Sequence, residues 1–147
     1  MTIKSAERIS GRYLRRLVND GRKWQYAMYE DQHFRKPLWM ASAYTAAEAI
    51  SQLVEKNYRA VSSQVFEEQS YLCFACGGIH GLTADHIIPR ARGRNDRREN
   101  LRGVDIHCHR RITAGEVLSP HPKVLEAVRK HGWRWTITSE TEGWVRI

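Results

Sequence analysis

Two patterns of hydrophobic and polar positions occur near the start of the chain. Residues 5–19 place apolar side chains at helical spacing with arginines on the remaining surface, and Gly21 follows as a stop signal. This pattern predicts a basic amphipathic helix. From Trp24 to Tyr44, aromatic side chains recur with partial alternation around Pro37, which favours two short strands over a helix.

Two further helices are expected before the first cysteine. Thr45 and Glu48 have the spacing of a capping box, which predicts a helix that begins here and ends near Lys56. A second helix is expected over 60–69. The region 24–56 is therefore expected to form two strands followed by a helix.

The second half of the chain combines short apolar segments with turn residues and shows no internal repeat. Periodicity and turn signals predict its elements. These are strands at about 83–88 and 101–104 separated by a polar, arginine-rich loop over 90–99, helices at about 106–114 and 123–130, and a terminal hairpin over 133–147 that turns at 139–143. The mixture predicts an α+β fold.

Composition and charge narrow the class of protein. Of 147 residues, 41% are hydrophobic and 27% charged, which is typical of a globular chain. The 24 Lys and Arg against 16 Asp and Glu give a formal charge of +8, as expected of a protein that meets phosphates, although basic proteins with other roles are common. No apolar run is long enough for a signal peptide or a membrane span, so we expect a cytoplasmic protein without a membrane partner.

The three cysteines lie among histidines and aspartates rather than at disulfide-like intervals, which favours metal binding. Cys73 and Cys76 on a tight turn direct two thiolates to one point, which is half of a tetrahedral zinc site. Asp105 and Cys108 repeat the same spacing 32 residues later, so the two pairs could close one site of three sulfurs and one oxygen. The alternative is that Cys108 is a small buried hydrophobic residue.

Asp85 and His86 are adjacent in a predicted strand, so their side chains point to opposite faces. One of them could bind a metal while the other acts on water. Hydrolysis of a phosphodiester needs a base for the attacking water and a cation that offsets charge on the phosphate and the leaving oxygen. Asp85, His86 and a second histidine, His109, supply these groups.

Four segments, CFACGG, ADHIIPRARG, ENL and CHRRIT, together resemble the HNH endonucleases. The resemblance covers about residues 60–115, with 14 positions from His86 to Asn100 and nine from there to His109. It implies two antiparallel strands and a helix around one catalytic metal, often braced by a zinc knuckle. The chain is then expected to consist of a basic N-terminal segment over 1–58, a nuclease core over 59–118, and a C-terminal helix and hairpin over 119–147.

The resemblance also implies a role for each candidate catalytic residue. His86 would be the general base that activates water, and Asp85 and His109 would hold the catalytic cation. Asn100 would fix the loop so that His86 presents the correct nitrogen. The implied cation is Mg²⁺ or Mn²⁺, with Zn²⁺ or Ni²⁺ as alternatives.

DNA is the implied partner, and five arginines are candidates to contact it. Arg90 and Arg111 are candidate phosphate contacts within the nuclease core. Arg12, Arg15 and Arg16 lie on the predicted N-terminal helix, where a solvated charged face is the alternative.

One position departs from the family pattern. Members that carry zinc usually have Cys-x-x-Cys-His at the second knuckle, whereas Asp105 occupies the first of those positions here. Because a carboxylate oxygen can ligate zinc, we expect a structural Zn²⁺ held by three cysteines and Asp105. His107 and His80 are the alternative fourth ligands, and a cluster that binds no zinc is the remaining alternative.

The sequence therefore predicts a metal-dependent DNA endonuclease. The principal alternative is a non-catalytic zinc-knuckle module that binds nucleic acid, which leaves Asp85, His86 and His109 without a role. A redox protein based on Cys73 and Cys76 is less favoured, because the pattern around them lacks a thioredoxin-like βαβ context.

Overall fold

The structure, a computed structural model, describes residues 6–17, 23–137 and 142–147. Its helices and strands confirm the predicted α+β class. The chain divides into two compact units, Met1–Ala60 with Arg90–Arg97 and Val61–Pro89 with Arg98–Ile147. The division into 1–58, 59–118 and 119–147 stays a prediction.

The first unit contains a four-stranded antiparallel sheet in the order β1-β2-β3-β4. The two strands predicted between residues 24 and 44 are confirmed as β3 and β4. The four strands are β1 (Ala6–Ile9), β2 (Arg12–Arg16), β3 (Trp24–Tyr29) and β4 (Pro37–Ala43).

The predicted N-terminal helix is wrong, because β1 and β2 form a hairpin in its place. Ser10 and Gly11 form the turn with φ of 52° and 78°, a left-handed conformation that a helix cannot contain. Pairing with β3 sets Leu14 opposite Met28, and both side chains are buried. Helical spacing and strand alternation both fit so short an apolar pattern, and the sheet partner decides between them. The predicted end of that helix, Gly21, lies outside the described residues.

One continuous helix, α1 (Ala46–Glu68), replaces the two helices predicted over this region. The capping box is confirmed at its start, where Thr45 Oγ1 accepts a hydrogen bond of 3.2 Å from the Glu48 amide. Asn57, in the predicted gap, is buried and its Oδ1 accepts from Arg12 Nε at 3.3 Å. The helix contains no glycine or proline, and Arg12 gives the buried Asn57 a hydrogen-bond partner. The helix therefore continues through the predicted gap.

The second unit is built around an antiparallel hairpin of two strands, β5 and β6, with a 3₁₀ turn just before β6. Both strands and the two helices after them were predicted, although β5 ends two residues early. The paired strands of the terminal hairpin are also confirmed; of the turn predicted at 139–143, residues 139–141 lie outside the described residues and residues 142 and 143 belong to the last strand. The elements are β5 (Thr83–His86), β6 (Leu101–Val104), α2 (Ile106–Thr113), α3 (Pro122–Arg129), β7 (Trp133–Ile137) and β8 (Glu142–Arg146).

An aromatic cluster forms the core of the second unit. Phe74 is buried next to Cys73, and its ring contacts Trp144 at 5.7 Å and Trp135 at 4.8 Å between centroids. Val104 of β6 packs in the same cluster. The terminal hairpin therefore supplies the packing behind the cysteine-bearing turn. In the part of the chain that the structure describes, no helix is long and apolar enough to cross a membrane.

Candidate active site and metal centre

Four side chains able to bind a metal meet at the start of α2. The ligand atoms of Cys73, Cys76, Asp105 and Cys108 all lie within 4.8 Å of one another. Sulfur atoms around a tetrahedral zinc are about 3.8 Å apart when the Zn–S bonds are about 2.3 Å. The four donors therefore fit one ion with modest adjustment. Within residues 6–17, 23–137 and 142–147 no other group of three or more potential ligands meets this criterion.

The first two cysteines are brought together by a tight turn. The Cys73 amide donates to the Gly78 carbonyl at 2.8 Å, and the Gly77 amide donates to the Cys73 carbonyl at 2.9 Å. Gly77 has a φ of 68°, which favours glycine. The Gly78 amide donates to Cys76 Sγ at 3.4 Å. Burial raises the pKa of the Cys108 thiol, so a metal must displace a proton to bind there.

Asp105 has two interactions, one for each carboxylate oxygen. Oδ1 accepts from the Cys108 amide at 2.8 Å and caps α2, while Oδ2 accepts from Cys76 Sγ at 3.0 Å. The hydrogen bond from the Cys108 amide lowers the pKa of the buried carboxyl to about 2, so it is ionised at neutral pH. One charged oxygen therefore faces the sulfurs. His80 and His107 are exposed and are not part of the ligand group.

A second cluster of polar side chains lies between the β5–β6 hairpin and α2. Asp85 Oδ1 is 3.7 Å from His109 Nε2. Its other oxygen, Oδ2, accepts from Arg102 Nε at 2.8 Å, and Arg102 is directly opposite Asp85 in the strand register. The carboxylate is thus oriented by an arginine on one side and faces an imidazole on the other. An oxygen and a nitrogen donor at this separation can share one cation.

Arg102 is a site residue that the sequence analysis missed. It is buried, and its guanidinium lies 4.8 Å from the centre of the Phe74 ring. The register could have identified it, because a hairpin that pairs His86 with Leu101 also pairs Asp85 with Arg102.

His86 is the last residue of β5, and strand alternation directs it to the face opposite Asp85. Asn100 fixes the chain that follows. Its Oδ1 accepts from the Ile88 amide at 2.8 Å, its Nδ2 donates to the Ile88 carbonyl at 3.4 Å, and its own carbonyl accepts from the Ile87 amide at 2.9 Å. The backbone just beyond His86 is therefore held by three hydrogen bonds from one residue.

The eight arginines between 90 and 111 fall into two groups. Five form ion pairs, namely Arg94 with Asp96, Arg97 with Glu30, Arg98 with Glu68, Arg102 with Asp85 and Arg111 with Glu116. Arg90, Arg92 and Arg110 are exposed and have no carboxylate partner within the described parts of the chain. Of the two candidate phosphate contacts, Arg111 is therefore already paired, whereas Arg90 lies 5.3 Å from the centre of the Tyr58 ring.

The three N-terminal arginines do not form one basic stripe. Arg12 is buried and pairs with Glu30 at 2.8 Å. Arg15 lies 4.5 Å from the centre of the Phe34 ring, and alternation along β2 directs it to the face opposite Arg12 and Arg16. The helical face that supported their predicted DNA contacts does not exist, and the contacts themselves stay a prediction.

These features define a small α+β module with a cluster able to bind a metal, in which a β-hairpin and the following helix bring together an acid and an imidazole. Residues 72–115 match the family model described as HNH endonuclease, so the chain carries an HNH domain over this segment. The resemblance inferred from the sequence is confirmed. HNH domains generally belong to nucleases and imply a bound metal ion. No curated protein and no solved structure matches the chain.

Proposed function

We propose that this chain is a metal-dependent endonuclease that hydrolyses phosphodiester bonds of DNA. The observation that carries the proposal is the Asp85–His109 pair at 3.7 Å within an HNH domain, with Asp85 on the strand that ends at His86 and His109 on α2. A module that only bound nucleic acid would not need Asp85 oriented toward His109, or a histidine directly after Asp85 in the sequence.

In this proposal Asp85 and His109 hold the catalytic cation, Mg²⁺ or Mn²⁺. When bound, the cation offsets charge on the scissile phosphate and the leaving oxygen. His86 accepts the proton of the attacking water, whose oxygen bonds to phosphorus as the bond to the leaving oxygen breaks. Asn100 holds the backbone after His86, and Arg102 holds Asp85 Oδ2 so that Oδ1 stays directed toward His109.

A structural Zn²⁺ is the ion proposed for the cluster of Cys73, Cys76, Asp105 and Cys108. Three thiolates and one carboxylate oxygen form a closed tetrahedral donor set, the arrangement of structural rather than catalytic zinc. Asp105 also caps the helix that carries His109. A loaded cluster would therefore stabilise the first turn of α2, next to the proposed catalytic ligand.

The ion pairs of the arginines in the nuclease core indicate which of them are available for DNA. Arg90, Arg92 and Arg110 are exposed and have no carboxylate partner in the described ranges, so they can meet a phosphate without breaking an ion pair. Arg111 must first leave Glu116, although an exposed pair of this kind contributes little free energy. Of the two predicted phosphate contacts, Arg90 is therefore more available to DNA than Arg111.

Nicking of supercoiled plasmid DNA with added divalent cation tests the proposal. His86→Ala should slow cleavage by about 10²–10⁴-fold with normal DNA binding and zinc content, because it removes the base alone. Asp85→Ala and His109→Ala should also lose activity, and raised Mg²⁺ or Mn²⁺ should partly restore it. His131→Ala, an exposed histidine of the same unit, is the matched control.

Two results would contradict this proposal. Cleavage by His86→Ala at nearly the wild-type rate would remove the general-base assignment. A wild-type protein that binds DNA but does not cut it with Mg²⁺, Mn²⁺, Zn²⁺ or Ni²⁺ would favour the non-catalytic zinc-knuckle module.

A further inference from the structure

The central part of the connection between β5 and β6 folds with the first unit. This segment, residues 90–97, is called the hairpin loop below, and it belongs to the same compact unit as the N-terminal sheet. The Asp96 amide donates to the Ser10 carbonyl at 3.0 Å. Arg97 Nη1 donates to the Gly11 carbonyl at 3.1 Å. The hairpin loop is therefore hydrogen-bonded to the turn between β1 and β2.

Gly11 is shaped to accept the hairpin loop. Its φ of 78° is left-handed, and a Cβ at this position would overlap Asn95 Oδ1 and lie 2.7 Å from Arg97 Cγ. A side chain here would thus meet both backbone strain and steric conflict. The closeness of the two segments depends on this glycine.

Electrostatics also hold the hairpin loop in place. Four arginines within eight residues repel one another, and carboxylates offset this charge. Asp96 is fully buried and pairs with Arg94 at 2.7 Å. Glu30, from outside the loop, pairs with Arg97 at 3.2 Å and with Arg12 at 2.8 Å through the same oxygen. Apart from one short 3₁₀ turn at its start, the loop has no regular structure of its own.

Both ends of the hairpin loop lead directly to the hydrogen bonds that fix the backbone after His86. Ile88 precedes the loop by two residues, and Asn100 follows it by three. These two residues are joined by the bond of 2.8 Å from the Ile88 amide to Asn100 Oδ1. Because an ordered loop has little backbone entropy, release of the loop would favour conformations in which Ile88 and Asn100 move apart and this bond breaks.

We propose that Gly11 and Glu30 are positioning residues for the HNH site: they hold the hairpin loop and thereby keep Asn100 bonded to Ile88 and His86 in place. This inference rests on the proposed nuclease function for its effect on cleavage. Its effect on the hairpin itself does not depend on any activity.

Hydrogen exchange of the full metal-loaded chain tests the structural step. Glu30→Gln removes the charge that Arg97 and Arg12 share, and should accelerate exchange by about tenfold in the hairpin loop and at the Ile88 amide. Glu55→Gln is the matched control, because it breaks an exposed pair with Arg59 on α1 in the same unit. Gly11→Ala should act in the same direction as Glu30→Gln.

Single-turnover plasmid cleavage at saturating protein tests the functional step. Glu30→Gln should lower the cleavage rate by about tenfold or more without weakening DNA binding, because misplacing a reacting group slows chemistry rather than binding. Glu55→Gln should match wild type in both measurements. If Glu30→Gln fails to fold, Arg97→Gln provides the same test from the loop side.

Each outcome separates the two proposals. Unchanged exchange at Ile88, or faster exchange there with an unchanged cleavage rate, overturns the positioning role. Wild-type protein that cuts no DNA overturns the proposed function, and exchange at Ile88 then decides alone whether Gly11 and Glu30 hold the hairpin.

Discussion

Asp105 caps a helix and is also one of the four proposed metal ligands. Its Oδ1 caps α2 through the Cys108 amide, and its Oδ2 faces Cys76. A cysteine at this position could supply a sulfur ligand but would be a poor cap, because the preferred N-cap residues carry a short side-chain oxygen. The departure from the usual cysteine therefore has a local structural basis.

Asp105→Ala should lower both zinc content and melting temperature, because it removes a ligand and a cap worth about 1 kcal/mol. Asp105→Cys should restore zinc content, yet the chelated form of this variant should melt below chelated wild type because the cap is still missing. Elemental analysis and thermal melting, with and without chelator, measure the two effects.

The opposite result would also be informative. If Asp105→Ala keeps full zinc content and stability, the fourth ligand is a histidine, and His80→Ala and His107→Ala would identify which one. Their exposed positions predict no loss of zinc from either variant.

At the scale of secondary structure, β6 depends on a close approach that only glycine allows. Gly103 is buried, and Gln69 accepts a hydrogen bond from its amide at 2.8 Å and donates one to its carbonyl at 3.0 Å. A Cβ here would lie 2.9 Å from Phe66 Cδ1 and 3.1 Å from Leu82 Cδ1. The strand that carries Arg102 is therefore packed directly against its neighbours.

Gly103→Ala should destabilise the protein by about 1–3 kcal/mol, the usual cost of overpacking a core. Urea unfolding measures the change. Gly81→Ala is the matched control, since a Cβ there meets nothing within 4 Å and its φ is not left-handed. A loss of similar size in both variants would show that the cost does not come from packing at Gly103.

The strand geometry of β2 separates two arginines that the helical prediction had placed together. Arg15 and Arg16 point to opposite faces of the sheet, with Arg16 lying 3.7 Å from the centre of the Trp24 ring. One DNA duplex bound to one face would meet only one of them.

DNA binding measured against salt concentration should therefore distinguish Arg15→Ala from Arg16→Ala. Loss of one phosphate contact reduces the slope of log K against log salt by about 0.9. We expect this reduction in one variant only, with Arg59→Ala, an exposed arginine of α1, as the control. Equal reductions in both would contradict recognition by a single face, and no reduction in either would leave both arginines as solvated charges.

At the scale of the whole molecule, the proposed zinc ligands all belong to the second compact unit. Two of them are buried beside Phe74 and Val104 in that unit's main hydrophobic cluster. Because structural zinc contributes directly to folding, metal removal should act mainly on this unit.

Chelation of the bound metal should lower the melting temperature and accelerate hydrogen exchange in residues 61–89 and 98–137. The β3–β4 hairpin of the first unit should keep most of its protection, because no proposed ligand lies in it. Added Zn²⁺ should reverse the change. Equal loss of protection in both units would contradict an effect centred on the cysteine cluster.

Local signals in the sequence predicted the two hairpins, α2 and α3 of the second unit. The knuckle, the hairpin strands and α2 are each defined by residues a few positions apart, and the cysteine pairs recur at one spacing. Asp105 was expected as the fourth member of that cluster, and it lies among the cysteines in the structure. The N-terminal sheet was only half predicted, because the short apolar pattern within residues 5–19 fits a helix and a strand alike.

By itself, the sequence determined the α+β class, the HNH segment and the group of residues proposed to do its chemistry. These follow from residue types at short, regular spacings. Only the tertiary structure decided that Arg102 orients Asp85, which arginines are paired with carboxylates, and that the hairpin loop folds against Gly11 and Glu30. Such contacts join residues far apart in the chain, so the choice among many similar partners depends on strand pairing and packing rather than on local pattern.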